Sequence, residues 1–77
     1  MWQQYIISDQ KILLGKPIIK GTRISVELIL ELLAAGWTEQ QVLESYPNIT
    51  QEALRATFAY LRDCIQHELY FPLSVSA

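Results

Sequence analysis

The amino-acid sequence predicts a mainly α fold in which a short N-terminal β-hairpin leads into a three-helix unit of the helix-turn-helix kind. Three observations predict it. Ser25, Thr38 and Thr50 each stand as a helix N-cap ahead of a run with helical spacing. Gly36 and Pro47 close the first two of those runs. The short β-rich runs with turn residues between them all precede Ser25.

The N-terminal runs Tyr5-Ile6-Ile7, Ile12-Leu13-Leu14 and Ile18-Ile19 read as short strands, with turn chemistry at Ser8-Asp9 and at Gly15-Lys16-Pro17. The expected pairing folds residues 12–14 back on residues 18–20 across the Gly15 turn. An isolated hairpin is marginal in water, so this one is expected to lie on the helices or to extend a partner's sheet. The first helix is expected over residues 26–35, and Val26, Leu28, Ile29, Leu30, Leu32 and Leu33 cover more than half its circumference, which reads as burial on two sides. Thr38 with Gln41 three residues on has the form of a capping box, and Val42, Leu43 and Tyr46 supply the apolar face of the second helix. The third helix is expected over residues 51–67, with Leu54, Phe58, Leu61 and Ile65 as its core stripe.

With 77 residues, 51% of them hydrophobic and 18% charged, the chain has the make-up of one globular domain. That domain divides into a β-hairpin arm (1–24), a trihelical unit (25–67) and an apolar C-terminal tail (68–77). A lone core of this size seldom supplies more than roughly 3 to 5 kcal/mol, so a homo-oligomer, a dimer or higher, is the expected support. Cys64 is the sole cysteine, which excludes an internal disulfide and suits a reducing compartment. The start lacks a signal-peptide pattern and no apolar stretch approaches the ~20 residues that span a bilayer, so the expectation is a cytoplasmic protein without membrane contact. The formal charge of −2 hides an asymmetry. Lys11, Lys16, Lys20 and Arg23 outnumber Asp9 ahead of Ser25, whereas beyond it the carboxylates outnumber Arg55 and Arg62. A polyanion would meet the basic arm first.

Two segments are candidates for recognition of nucleic acid. On the third helix Gln51, Arg55, Arg62 and Gln66 cluster opposite the expected core, and Arg and Gln are the side chains that bond bidentately to base edges. Glu52 and Asp63 border that face and would repel phosphate; an ordinary solvated surface is the alternative reading. In the segment Lys16-Pro17-Ile18-Ile19-Lys20-Gly21-Thr22-Arg23, the charges of Lys16, Lys20 and Arg23 and the Thr22 hydroxyl could meet phosphates. The alternative there is a tight hairpin leading into the Ser25 cap, with Arg23 bonded to helix-end carbonyls or a carboxylate. It is not a nucleotide loop, because no upstream glycine has the required spacing and Pro17 follows Lys16 where Ser or Thr would ligate magnesium. Cys64 and His67 make half a zinc site, and the chain holds no second Cys/His pair to complete it, so no metal is expected. With one His, one Cys, no paired carboxylates in an obvious pocket and few candidates for an activated nucleophile, an enzyme would need most of its site from elsewhere, so neither catalysis nor a cofactor nor a small-molecule substrate is expected. Leu69, Tyr70, Phe71 and Leu73, around Pro72, make the tail a candidate partner-binding segment.

The run Gly15-Lys16-Pro17-Ile18-Ile19-Lys20-Gly21-Thr22-Arg23-Ile24-Ser25-Val26 resembles a bacterial and archaeal family called domain of unknown function 433. Gly36-Trp37-Thr38, Tyr46-Pro47-Asn48-Ile49-Thr50 and the helix from Ala56 to Tyr60 continue the resemblance, which covers about residues 8–61. The resemblance implies a homeodomain-like or winged-helix-like trihelical fold. It also implies membership of a group proposed to be VapB-type antitoxins paired with PIN-like ribonuclease toxins. No catalytic residue travels with the motif.

Two functions follow as expectations. One is an antitoxin-like regulator that binds operator DNA through its helix-turn-helix and covers a toxin with its tail. The other is a protein-interaction module that neutralises or scaffolds a partner without touching nucleic acid, a reading that the net acidity favours.

Overall fold

A computed structural model describes residues 1–67 of the chain. After a 3-10 turn at Trp2–Gln4 come strand β1 (Ile6–Ile7), a second 3-10 turn (Leu13–Gly15) and strand β2 (Ile18–Ile19). Helices α1 (Val26–Ala34), α2 (Glu39–Ser45) and α3 (Gln51–Gln66) follow. The mainly helical fold with a short antiparallel N-terminal hairpin is the architecture that the capping and turn residues predict.

The pairing within the hairpin differs from the expected one. β1 is the strand that pairs with β2, with Ile6 opposite Ile19 and Ile7 opposite Ile18. Residues 12–14 form no strand, because turn chemistry on both sides bends the chain first. The Asp9 carboxylate accepts from the Lys11 N–H at 2.9 Å, and the Asp9 carbonyl accepts from the Ile12 N–H at 2.8 Å. Leu13, Leu14 and Gly15 then take φ values of +50°, +56° and +83°, a left-handed turn that no strand accommodates. From β2 the chain turns again through Gly21 (φ +82°), and the Thr22 N–H and hydroxyl both donate to the Ile19 carbonyl, at 3.0 and 2.8 Å.

The three helix starts are built as their sequences require. Ser25, Thr38 and Thr50 accept from the backbone N–H groups of Leu28, Gln41 and Ala53 at 3.0, 3.1 and 3.1 Å. Gln41 completes its capping box by accepting from the Thr38 N–H at 2.8 Å. α1 stops in a Schellman arrangement, with Gly36 at φ +103° and the Trp37 N–H reaching back to the Leu32 carbonyl at 3.1 Å.

One core joins the hairpin to the helices. Ile6 and Ile19 from the strands, Val26 and Ile29 from α1, Val42 from α2, Ile49 from the loop before α3, and Leu54 from α3 are all buried in it. The arm thus lies on the helices, as expected of a hairpin too short to stand alone: Ile6, Ile18 and Ile19 are buried, while Lys11, Lys20 and Arg23 are exposed, as are Leu13 and Leu14 at its turn.

The core face of α3 also departs from expectation. Leu54 is buried, but Leu61 is only half-buried, and Phe58 and Ile65 are 41% and 61% exposed. The buried side carries Ala53, Ala56 and Thr57, and it packs on β1 and on the Trp2–Gln4 turn. Small side chains there let the backbone of the hairpin approach the helix closely, which a row of leucines would prevent. The Thr57 hydroxyl, wholly buried, donates back to the Ala53 carbonyl at 3.2 Å, so its burial leaves no unmet hydrogen bond.

Candidate functional site

The structure places the predicted polar residues in two separate groups. Lys16 is tied to α1 by an ion pair with Glu27 at 2.8 Å, and the two groups hold each other's charge at the surface. The Glu27 carboxylate, by hydrogen bond and by charge, raises the Lys16 ammonium above its ordinary value. Lys20 and Arg23 are exposed on the rim of the β2 turn, and Arg23 has no hydrogen bond to a helix-end carbonyl or a carboxylate among the described residues. Thr22, offered as a phosphate contact, is instead occupied within its own turn, donating to Ile19 and accepting from the Ile24 N–H at 3.0 Å. A tight turn does lead into the Ser25 cap, but the Arg23 bond expected with it is not formed among the described residues.

Gln51, Arg55, Arg62 and Gln66 are all exposed along α3, as the helical spacing requires. Arg62 lies 3.4 Å from its neighbour Asp63. No ion pair or side-chain hydrogen bond links this group to the rim of the arm among the described residues. Leu69, Tyr70, Phe71 and Leu73 lie outside the described residues.

Three further features were not singled out from the sequence. The first is the left-handed tip. Leu13 and Leu14 occupy a backbone region disfavoured for side chains with a Cβ, and Leu14 is 87% exposed. Together with Lys16 and Ser25 they line a shallow depression of about 410 Å³. Gly15 was legible as a residue that permits positive φ; the two leucines ahead of it carry no such signal.

The second is an apolar groove of about 540 Å³ between α1 and α3. Pro17 lines it together with Val26, Leu30, Ala34, Glu27 and Glu31 from α1 and Tyr60, Leu61 and Cys64 from α3. Its trace in the sequence was the surplus of leucine around α1, read there as burial on two sides.

The third is a corner at the C-terminal end of α3. Trp2 meets Tyr60 edge to face with ring centroids 4.9 Å apart, and its indole N–H donates to the Asp63 carboxylate at 2.6 Å. That bond, helped by Arg62 and His67, holds the Asp63 carboxyl below the usual range, against the opposing effect of burial. Burial pushes the Tyr60 hydroxyl up, and Cys64 one turn on adds to the shift. Cys64 and His67 both line this corner, but no group of three or more metal-ligating side chains forms among the described residues. No described helix is long and apolar enough to cross a membrane.

These features define a small helical domain with a hairpin packed on its helices, which presents exposed leucines, an apolar groove and a helix face carrying Gln51, Arg55, Arg62 and Gln66. The chain belongs to the family described as protein of unknown function (DUF433), whose profile matches residues 6–61. It is similar to an uncharacterized protein, y4eO, of Sinorhizobium fredii, at 31% identity over 58 residues, which is 75% of this chain and 26% of that protein. A crystal structure of a DUF433 member protein from Anabaena variabilis aligns with a TM-score of 0.76 at 26% identity, covering 84% of this chain and 64% of that one. The chain thus spans about a quarter of the length of the first relative and under two thirds of the second.

Proposed function

We propose that this chain is a non-enzymatic regulatory protein that works by binding another protein, in the manner of an antitoxin that covers its toxin. The observation that carries the reading is the tip at Leu13 and Leu14. Two consecutive leucines held at positive φ cost about 1–2 kcal/mol each, and Leu14 recovers nothing by packing inside its own fold, being 87% exposed. Strain kept in order to display an apolar side chain is accounted for when a partner receives that side chain. The tail residues Leu69, Tyr70, Phe71 and Leu73 supply a second apolar contact in the same reading. A PIN-like ribonuclease is the partner that the family resemblance offers.

Co-expression with a PIN-like ribonuclease is the direct test. The pair is expected to co-purify, and Leu14→Asn is expected to release the partner while leaving the fold intact. Retention of the partner by Leu14→Asn would overturn the role given to the tip.

A second reading, binding of operator DNA through α2 and α3 as a helix-turn-helix, is favoured by the shared exposure of Gln51, Arg55, Arg62 and Gln66. Glu52 on the same helix and the acidic surface of α1 weigh against it, because they oppose the phosphate attraction on which such binding depends. Fluorescence anisotropy with the upstream duplex and a scrambled control, across a salt series, separates the readings. The protein-binding reading expects equal, weak affinities; a sequence-preferring complex that weakens steeply with salt would establish DNA binding.

A further inference from the structure

We infer that the groove between α1 and α3 is a dimer interface, closed by the same face of a second copy of this chain. This goes beyond the proposed function, since it concerns a different surface from the Leu14 tip and holds whatever partner the tip receives.

The groove is apolar at its centre and charged with opposite sign along its two edges. Leu30 and Ala34 on α1 face Leu61 on α3 across it. On α3 the surface continues outward through Phe58 and Ile65, the two exposed apolar residues of the helix, and a further step round the helix brings Arg55 and Arg62. On α1 the edge is Glu27 and Glu31. Read across the face, the order is acid, apolar, base.

A face of that kind is complementary to itself. A two-fold axis lying in the contact plane and parallel to α3 carries the basic edge of one copy over the acidic edge of the other, and lays apolar centre on apolar centre. The alternative axis, perpendicular to α3 in the same plane, would set acid on acid and base on base. The charges therefore select one arrangement, an isologous pair with the two α3 helices parallel. Glu27 is already engaged by Lys16, whereas Glu31 and Arg55 have no ion-pair partner among the described residues. Arg62 has only the 3.4 Å contact with its neighbour Asp63, so Glu31 and the partner's Arg62 are the pair to expect.

Other occupants match the face less well. A polyanion would find Arg55 and Arg62 on one edge but would meet an apolar floor beside them and the carboxylates of Glu27 and Glu31 on the other. The tail of this chain, residues 68–77, has apolar side chains for the floor but a single charged side chain, Glu68, so it answers at most one of the two edges. The size of the face suits a modest dimer. α3 is 16 residues long, about 24 Å, and two neighbouring helices make a face roughly 20 Å broad, which falls at the small end of specific interfaces. Dissociation in the micromolar range is the corresponding expectation.

Sedimentation equilibrium of the full chain, from low micromolar to hundreds of micromolar, tests the inference. The mass is expected to double across the series. Phe58→Asp and Ile65→Asp alter exposed side chains, so circular dichroism is expected to be unchanged while dissociation strengthens by about tenfold or more. Glu31→Arg and Arg62→Glu are each expected to weaken the dimer, and the double variant to restore it, a recovery that apolar collapse alone would not produce. A monomer at every concentration would overturn the inference. So would a dimer indifferent to Phe58→Asp and Ile65→Asp, a double charge variant no tighter than the single ones, or a dimer lost on replacing Leu69, Tyr70 and Phe71 by serine.

Discussion

Replacing Leu54 by alanine is expected to cost about 3 kcal/mol, and replacing Phe58 by alanine less than about 1 kcal/mol, although the two belong to one apolar stripe in the sequence. Leu54 is 1% exposed and stands where α3 meets the core that Val42, Ile29 and Ile6 share. Removing three carbon atoms there forfeits about 2.4 kcal/mol of transfer free energy, to which the unfilled cavity adds. Phe58 is 41% exposed and has less burial to lose. A chain of 77 residues has on the order of 4–12 kcal/mol of stability in all, so the first substitution removes a large share of it. At about 6 °C per kcal/mol for a domain of this size, Leu54→Ala lowers the melting temperature by about 18 °C. Urea unfolding followed by circular dichroism, at a concentration below that of dimer formation, reads both values from the midpoint at constant slope. Equal losses for the two variants would refute the orientation assigned to α3.

Other substitutions probe the remaining elements. Thr38→Ala removes half of the capping box of α2 and is expected to cost about 1 kcal/mol by the same assay, with no loss marking the cap as dispensable. Leu14→Asn, a residue that tolerates the left-handed region, is expected to stabilise the fold by up to about 1 kcal/mol; a loss would show that Leu14 packs within its own chain. Gly15→Ala and Gly21→Ala are each expected to cost about 1 kcal/mol, since both sit at positive φ and the Gln10 side-chain end that a methyl group at Gly15 would strike is exposed and free to swing aside; unchanged melting temperatures would contradict the left-handed turns. Asp63 is depressed in the folded protein by the Trp2 indole N–H, so its contribution is present above the ordinary value near 3.8 and is lost as pH falls through the lower folded value. Tryptophan fluorescence during urea unfolding is accordingly expected to show a smaller acid-side loss for Asp63→Asn than for the parent chain, and matching pH profiles would contradict the assignment.

The capping residues were read correctly because each acts within one turn of its own position: Ser25, Thr38 and Thr50 need only a backbone N–H three residues on. Gly36 is of the same local kind. The exposure of Gln51, Arg55, Arg62 and Gln66 on one side of α3 follows from helical spacing alone. The Leu14 tip was not legible, since nothing in the sequence marks a leucine for positive φ. The groove was not legible as a site either, because it lies between two helices whose relative placement is non-local.

What the chain determines by itself is where its helices begin and end, and that three of them follow a short hairpin, because caps, turn residues and periodicity act between near neighbours. Which strand pairs with Ile18 and Ile19, and which side of α3 faces inward, were decided only by tertiary structure. Both depend on contacts across long sequence separations, Ile6 with Ile19 and Trp2 with Asp63. There the close approach of a hairpin to Ala53 and Ala56 outweighs the larger apolar side chains of Phe58 and Ile65, which are left at the surface.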